Sequence, residues 1–243
     1  MSLLSRMITL FCSILVSVAF AQSNYDDLVK KADRYLFLDF GTSQIIQVED
    51  FKGDKKLRTT KYKVYEKGFD MTLVETIFPE RQIGRKLLMK KDDLWFYTPD
   101  IKRPTRVTLQ EKLTGEVSNG DITRTHFSED YQSISGKEGN FEGQPAYLIS
   151  LKQRRSNTTY SLIDYVIAKK DQRPLQAMFK TSAGKNLKIA RYSQFRKEFG
   201  QEIVGQVEIK NALFPEQRSV IINSQIKKED LHESFFNKDS LSN

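Results

Sequence analysis

From Thr42 onward the chain is written in short runs where apolar and polar residues alternate with a period of two, the signature of half-buried strands. Ile45–Glu49, Thr59–Tyr65, Thr72–Phe78 and Arg85–Met89 are rich in β-branched and aromatic residues. Turn-forming stretches separate them: Phe51–Asp54, Glu66–Gly68, Pro79–Glu80 and Lys91–Asp93. Ahead of these runs, Tyr25–Phe40 carries apolar residues at three- and four-residue spacing, which predicts an amphipathic helix stopped by Gly41. Leu94–Thr98, with the only tryptophan, predicts a further strand closed by Pro99.

Between Lys102 and Tyr131 the period loosens, with Arg106–Leu109 as a short strand and Thr114–Asp121 as a polar loop. A break of that length inside a meander predicts a functional loop or a small helical layer. Strands resume at Tyr131–Ile134 and continue through Ala146–Leu151, Leu162–Ile167, Leu175–Phe179, Leu187–Tyr192, Glu202–Ile209 and Ser219–Ser224. Lys228–Leu241 is polar but holds Leu231, Phe235, Phe236 and Leu241, which predicts a short helix or an edge lid.

A helix followed by about ten or more antiparallel strands must close its sheet or curl it, because an open sheet of that length exposes its edges. A curled sheet has a concave face that one helix cannot cover. Tyr62 with Val64, Leu73 with Ile77, Trp95 with Tyr97, Tyr147 with Ile149 and Leu151, and Ala177 with Phe179 form one-face series. These residues are either an ordinary core or the lining of an apolar cavity.

Residues 1–21 combine Arg6, an apolar run from Met7 to Phe20 and the small-residue pattern Ala19-Phe20-Ala21. That is the layout of a secretory signal peptide cleaved after Ala21, leaving 22–243 as one expected domain. Cys12, the only cysteine, falls inside that run, so the mature chain is expected to hold no disulfide, thiol nucleophile or sulfur metal site. Charged residues make up 29% and mean hydropathy is −0.52, which excludes a further membrane-spanning helix. The net charge of +8 gathers in Lys52–Lys67, Arg81–Lys91, Lys102–Arg106 and Lys152–Arg155. It reads either as a solvated sheet face or as attraction to anionic headgroups or an acidic partner.

No nucleic-acid-binding motif is present. His126 and His232 stand apart without metal-ligand spacing and read as surface or loop residues. The carboxylate pairs Asp92–Asp93 and Glu129–Asp130 read as solvated turn residues rather than as an acid and its base. No HExxH, P-loop, GxGxxG or GxSxG motif occurs, so neither enzymatic activity nor a cofactor is expected.

Asp92–Pro99 (DDLWFYTP), Arg106–Leu109, Gly115–Ile122 and Ser128–Tyr131 follow one another in an order and spacing that resembles the LolA-type outer-membrane lipoprotein-sorting proteins. The resemblance implies a mainly β fold with flanking helices, a strongly curved, half-open antiparallel barrel around a hydrophobic cavity. It further implies a monomeric periplasmic carrier or chaperone that shields acyl chains of a lipoprotein or lipid. Its partners would be an inner-membrane transporter and an outer-membrane acceptor. Tyr62, Val64, Leu73, Ile77, Trp95, Tyr97, Tyr147, Ile149 and Phe179 are the candidate lipid contacts. A non-carrying module that docks on an inner-membrane transporter is the alternative. No arginine is assigned as a lid residue, and Arg85, Arg103 and Arg106 stay open.

Overall fold

The structure, a computed structural model, describes residues 25–124 and 126–242. The expected signal peptide, 1–21, lies outside them. Helix α1 spans 25–33. It is followed by strands β1 (Thr42–Lys52), β2 (Lys55–Lys67), β3 (Met71–Phe78), β4 (Lys86–Lys90), β5 (Asp93–Tyr97) and β6 (Thr105–Arg106). A small hairpin, β7 (Lys112–Thr114) and β8 (Val117–Ser118), leads into two short helices, α2 (Gly120–Thr123) and α3 (Phe127–Asp130). Strands β9 (Tyr131–Phe141), β10 (Gln144–Gln153), β11 (Leu162–Ala168), β12 (Pro174–Lys180) and β13 (Asn186–Ser193) come next. A second hairpin, β14 (Arg196–Glu198) and β15 (Gln201–Ile203), precedes β16 (Gln206–Asn211) and β17 (Gln217–Lys228).

Among the described residues thirteen strands form one antiparallel sheet in the order β6-β5-β4-β3-β2-β1-β17-β16-β13-β12-β11-β10-β9. Two meanders therefore meet at a central seam, where β1 pairs with β17 from Thr42 opposite Lys228 to Lys52 opposite Gln217. The sheet is mainly concave around one core, and its two outer strands, β6 and β9, do not pair. The resemblance implied this half-open architecture.

Alternation decides which side chains enter the core. Ile46 and Val48 of β1, Tyr62 and Val64 of β2, and Ile149 and Leu151 of β10 point inward to meet Leu28, Val29 and Ala32 of α1. β7, β8, α2 and α3 fill the rest of the concave face, so the loosened stretch 102–131 is a layer of small elements. The β7–β8 turn is anchored on Asp50, whose carboxylate accepts from Thr114 Oγ1 at 3.0 Å, Ser219 Oγ at 2.6 Å and Arg58 Nε at 2.7 Å. Gly115, at φ +50°, crosses directly over that carboxylate, where a Cβ would collide with it.

Several boundaries differ from the sequence reading; Glu202–Ile209, read as one strand, splits at Val204-Gly205 into β15 and β16, which lie in different sheets. The first helix ends at residue 33, and 34–41 instead continues as an irregular strap. Glu66 and Lys67 are not turn residues but the last pair of β2, with Glu66 opposite Thr42. The C-terminal segment is a pair of 3-10 turns, Glu233–Phe235 and Lys238–Ser242. It covers a face rather than an edge: Leu231, Phe236 and Leu241 pack on Leu73, Leu88 and Tyr97, on the convex side of β3–β5.

Candidate functional site

The concave face is not completely filled. An apolar cavity of about 80 Å3 remains between the sheet and the small helices. Leu36, Ile46, Phe127, Phe179, Ile209 and Ile221 supply its greasy walls. That volume holds a few waters and lies well below the roughly 300–1,000 Å3 of a small-molecule pocket.

The strap 34–41 borders the cavity at one end of the strands. Leu36 lines the interior, and the Phe37 ring lies 3.6 Å from that of His126. Phe40 packs edge-on against Phe199, at the tip of the β14–β15 hairpin, with centroids 5.4 Å apart. Backbone bonds anchor the strap along its length: Tyr35 and Leu36 N–H donate to Ala32 and Asp33 C=O at 3.1 and 2.8 Å, Val204 N–H donates to Tyr35 C=O at 2.7 Å, Glu229 N–H donates to Gly41 C=O at 2.8 Å, and Gln201 Nε2 donates to Phe37 C=O at 2.9 Å and to Arg34 C=O. His126 is buried against Phe37 and Phe69 rather than at the surface, and burial lowers its pKa to about 4.

Polar groups interrupt the apolar wall. Glu66 projects from β2 beside Ile46, and its carboxyl accepts from Gln44 Nε2 at 3.0 Å. Burial drives its pKa up from 4.5 to about 7, and the Gln44 bond only partly opposes this. Across the cavity Tyr160 stacks on Phe179 at 4.0 Å and donates to Asp121 Oδ1 at 2.7 Å. Lys188 Nζ donates to Ser118 Oγ at 2.7 Å and lies 3.4 Å from Asp121. Asp33 of α1 accepts from the Phe127 and Ser128 amides at 3.2 and 2.8 Å. Burial nevertheless raises its pKa to about 7.

Arg124 closes one corner of the molecule. Its side chain is 2% exposed, and Nε and Nη2 clasp both oxygens of Asp130 at 2.5 and 2.6 Å. Nη1 donates to Lys91 C=O at 3.3 Å and to Asp92 at 3.4 Å. Arg155 pairs with the same two carboxylates, and Asn157 Nδ2 donates to Asp92 C=O at 2.6 Å. The β4–β5 turn of one meander is thereby tied to the segment after β10 of the other. Burial works against the Arg124 charge, but Asp130 and Asp92 more than offset it and its pKa is raised. Asp92 and Asp130 are thus ion-pair partners.

Of the candidate lipid contacts, Phe179 borders the cavity. Tyr62, Val64, Tyr147 and Ile149 lie on the same concave face, packed into the core around it. Leu73, Trp95 and Tyr97 point to the opposite side, under the C-terminal segment, and Ile77 is 40% exposed. Glu66, Asp121 and Arg124 were missed. A signal for Glu66 existed, since it continues the two-residue period of Tyr62 and Val64.

A family model described as an uncharacterized protein matches residues 68–243. No curated protein matches the chain. Among solved structures, a LolA superfamily protein from Nitrosomonas europaea is 29% identical, with a TM-score of 0.83 over 90% of this chain and 98% of that one. A domain from Vibrio parahaemolyticus, described as an outer membrane lipoprotein-sorting protein, is 18% identical, with a TM-score of 0.74 over 90% and 98%. A DUF1329 family protein from Desulfovibrio piger, 21% identical, reaches 0.77 over 91% and 99%.

Proposed function

This chain belongs to the family of that model and has the LolA-superfamily fold, and on that premise we propose that it is a periplasmic, non-enzymatic carrier of acyl chains. The cargo is a lipoprotein or lipid, collected from an inner-membrane transporter and delivered to an outer-membrane acceptor. One observation supports this reading: the concave side of the sheet keeps an apolar cavity, bordered at one end by the irregular strap 34–41 through Leu36. Each methylene moved from water into such a space contributes about 0.8 kcal/mol, so one chain offsets much of the cost of leaving a bilayer. At about 80 Å3 the cavity is too small for an acyl chain, and loading requires 34–41 and the β14–β15 hairpin to swing away from α3.

Mass spectrometry of organic extracts from the purified protein, with titration of a fluorescent fatty acid, tests this reading. Bound lipid or saturable uptake is expected, reduced at least about tenfold by Ala190→Trp, which fills the cavity from β13. A lipid-free protein that takes up no fatty acid overturns it. The small cavity favours one second reading, an accessory module with a filled interior that docks on the transporter. That reading requires transporter binding unchanged by Ala190→Trp.

A further inference from the structure

The two ends of the sheet differ in charge. Strand directions place the turns β1–β2, β3–β4, β5–β6 and β16–β17 along one rim, away from the strap. Their segments, 52–58, 79–86, 99–106 and 212–218, hold eleven Lys and Arg against four Asp and Glu, in a chain whose net charge is +8. Turns at the other end (34–41, 67–71, 90–93, 142–143, 169–173, 194–205 and 227–231) hold eleven against ten. Four of the rim cations are spent on Glu49, Asp50, Asp93 and Glu208. Lys52, Lys55, Arg81, Arg85, Lys102 and Arg103 have no carboxylate within ion-pair distance among the described residues.

The same turns expose large apolar side chains. Leu57 and Leu213 show 57% of their surface, Ile83 55%, Phe214 52%, Ile101 51% and Phe78 46%. The turns touch one another in sequence along the rim. Gly84 abuts Pro99, Arg81 shares a groove with Leu57, Arg58 and Arg218, and Gly53 N–H donates to Glu216 C=O at 2.7 Å. The apolar tips stand on separate turns with cations between them, and because the groove at Arg81 is lined mostly by charged side chains, no continuous apolar groove for a peptide results. They match a fluid interface in which tips sink below the headgroups and cations stay level with the phosphates.

We propose that this rim docks the protein on an anionic lipid bilayer. The inference is independent of what the cavity holds.

Co-sedimentation of the protein with vesicles of phosphatidylethanolamine and phosphatidylglycerol, or of phosphatidylcholine alone, tests it. Binding is expected only to the anionic vesicles and is expected to weaken as salt rises from about 50 to 500 mM. Each cation near an anionic surface is worth about fivefold, so Lys102→Glu with Arg103→Glu should weaken binding at least about 25-fold. Ile101→Ser with Leu213→Ser should weaken it about fivefold or more. Lys170→Glu with Lys197→Glu, at the opposite end, should leave it within about twofold, and circular dichroism should be unchanged throughout. Absence of anionic binding at low salt overturns the proposal and leaves an acidic protein surface as the rim's occupant. Equal losses from the two charge-reversed pairs, or none from the serine pair, overturn it as well.

Discussion

Strands β3–β5, with Tyr65 of β2 at their margin, bury side chains on both faces, and the two faces are built differently. Inward, Val64, Val74, Leu87 and Leu94 join a core that also contains buried charge and a residual cavity. Outward, Tyr65, Leu73, Leu88 and Trp95 meet Leu231, Phe236 and Leu241 in a smaller cluster. Lys238 and Arg106 cover the Trp95 ring there at 5.1 and 5.8 Å. The inner face has groups that can open and titrate. The outer face is apolar packing that fixes the chain's end.

The largest test of this contrast is Arg124→Ala, which leaves Asp130 buried without its partner and frees one corner of the sheet. A loss of roughly 3–5 kcal/mol is expected in urea unfolding. Phe236→Ala removes a ring that is 0% exposed. It should cost somewhat less, about 3 kcal/mol, because the terminal segment can release locally instead of leaving a sealed void. Hydrogen exchange should then rise in 229–242 and on the outer strands but not around α3. If the faces are independent, the double variant equals the sum of the singles to within about 0.5 kcal/mol. A larger coupling would implicate the segment 90–92, since Lys90 pairs with Glu233 at 3.2 Å while Lys91 and Asp92 hold Arg124.

The smallest effect is a pH slope from the inner face alone. Glu66 ionises near 4.5 when unfolded and at about 7 when folded. Between those values only the folded chain keeps the proton, so Glu66 favours folding most below 4.5 and loses that advantage as pH rises to about 7. Asp33 acts with the same sign from 3.8 to about 7. Glu66→Gln should therefore make the fall in stability from pH 5 to pH 7 shallower without abolishing it. An unchanged slope would show that Glu66 stays hydrated.

This contrast also explains what could be read from the sequence. β10–β13 bury chiefly one face, so Ile149, Leu151, Ala177 and Phe179 announced their direction by simple alternation. In β3–β5 the run Leu87-Leu88-Met89 is buried throughout, and alternation carries no phase where both sides are covered. Leu73, Trp95 and Tyr97 could not be assigned to a side until the C-terminal segment had a place. Tyr35, Leu36, Phe37 and Phe40 kept helical spacing because a strap over an apolar opening needs buried side chains as much as a helix does. Arg124 was illegible for another reason: its partners, Lys91, Asp92 and Asp130, meet only after the sheet has curled.

The central seam places the last strand of the sheet in its middle. β17 lies between β1 and β16, and Thr42 waits for Lys228. A chain synthesised from its N-terminus holds β1–β6 and β9–β16 as two unjoined ribbons, each with an unsatisfied edge, until residues 217–228 emerge. Completion of the sheet therefore waits for β17, and a polypeptide interrupted before it exposes two sticky edges to whatever chaperone or neighbouring chain it meets first.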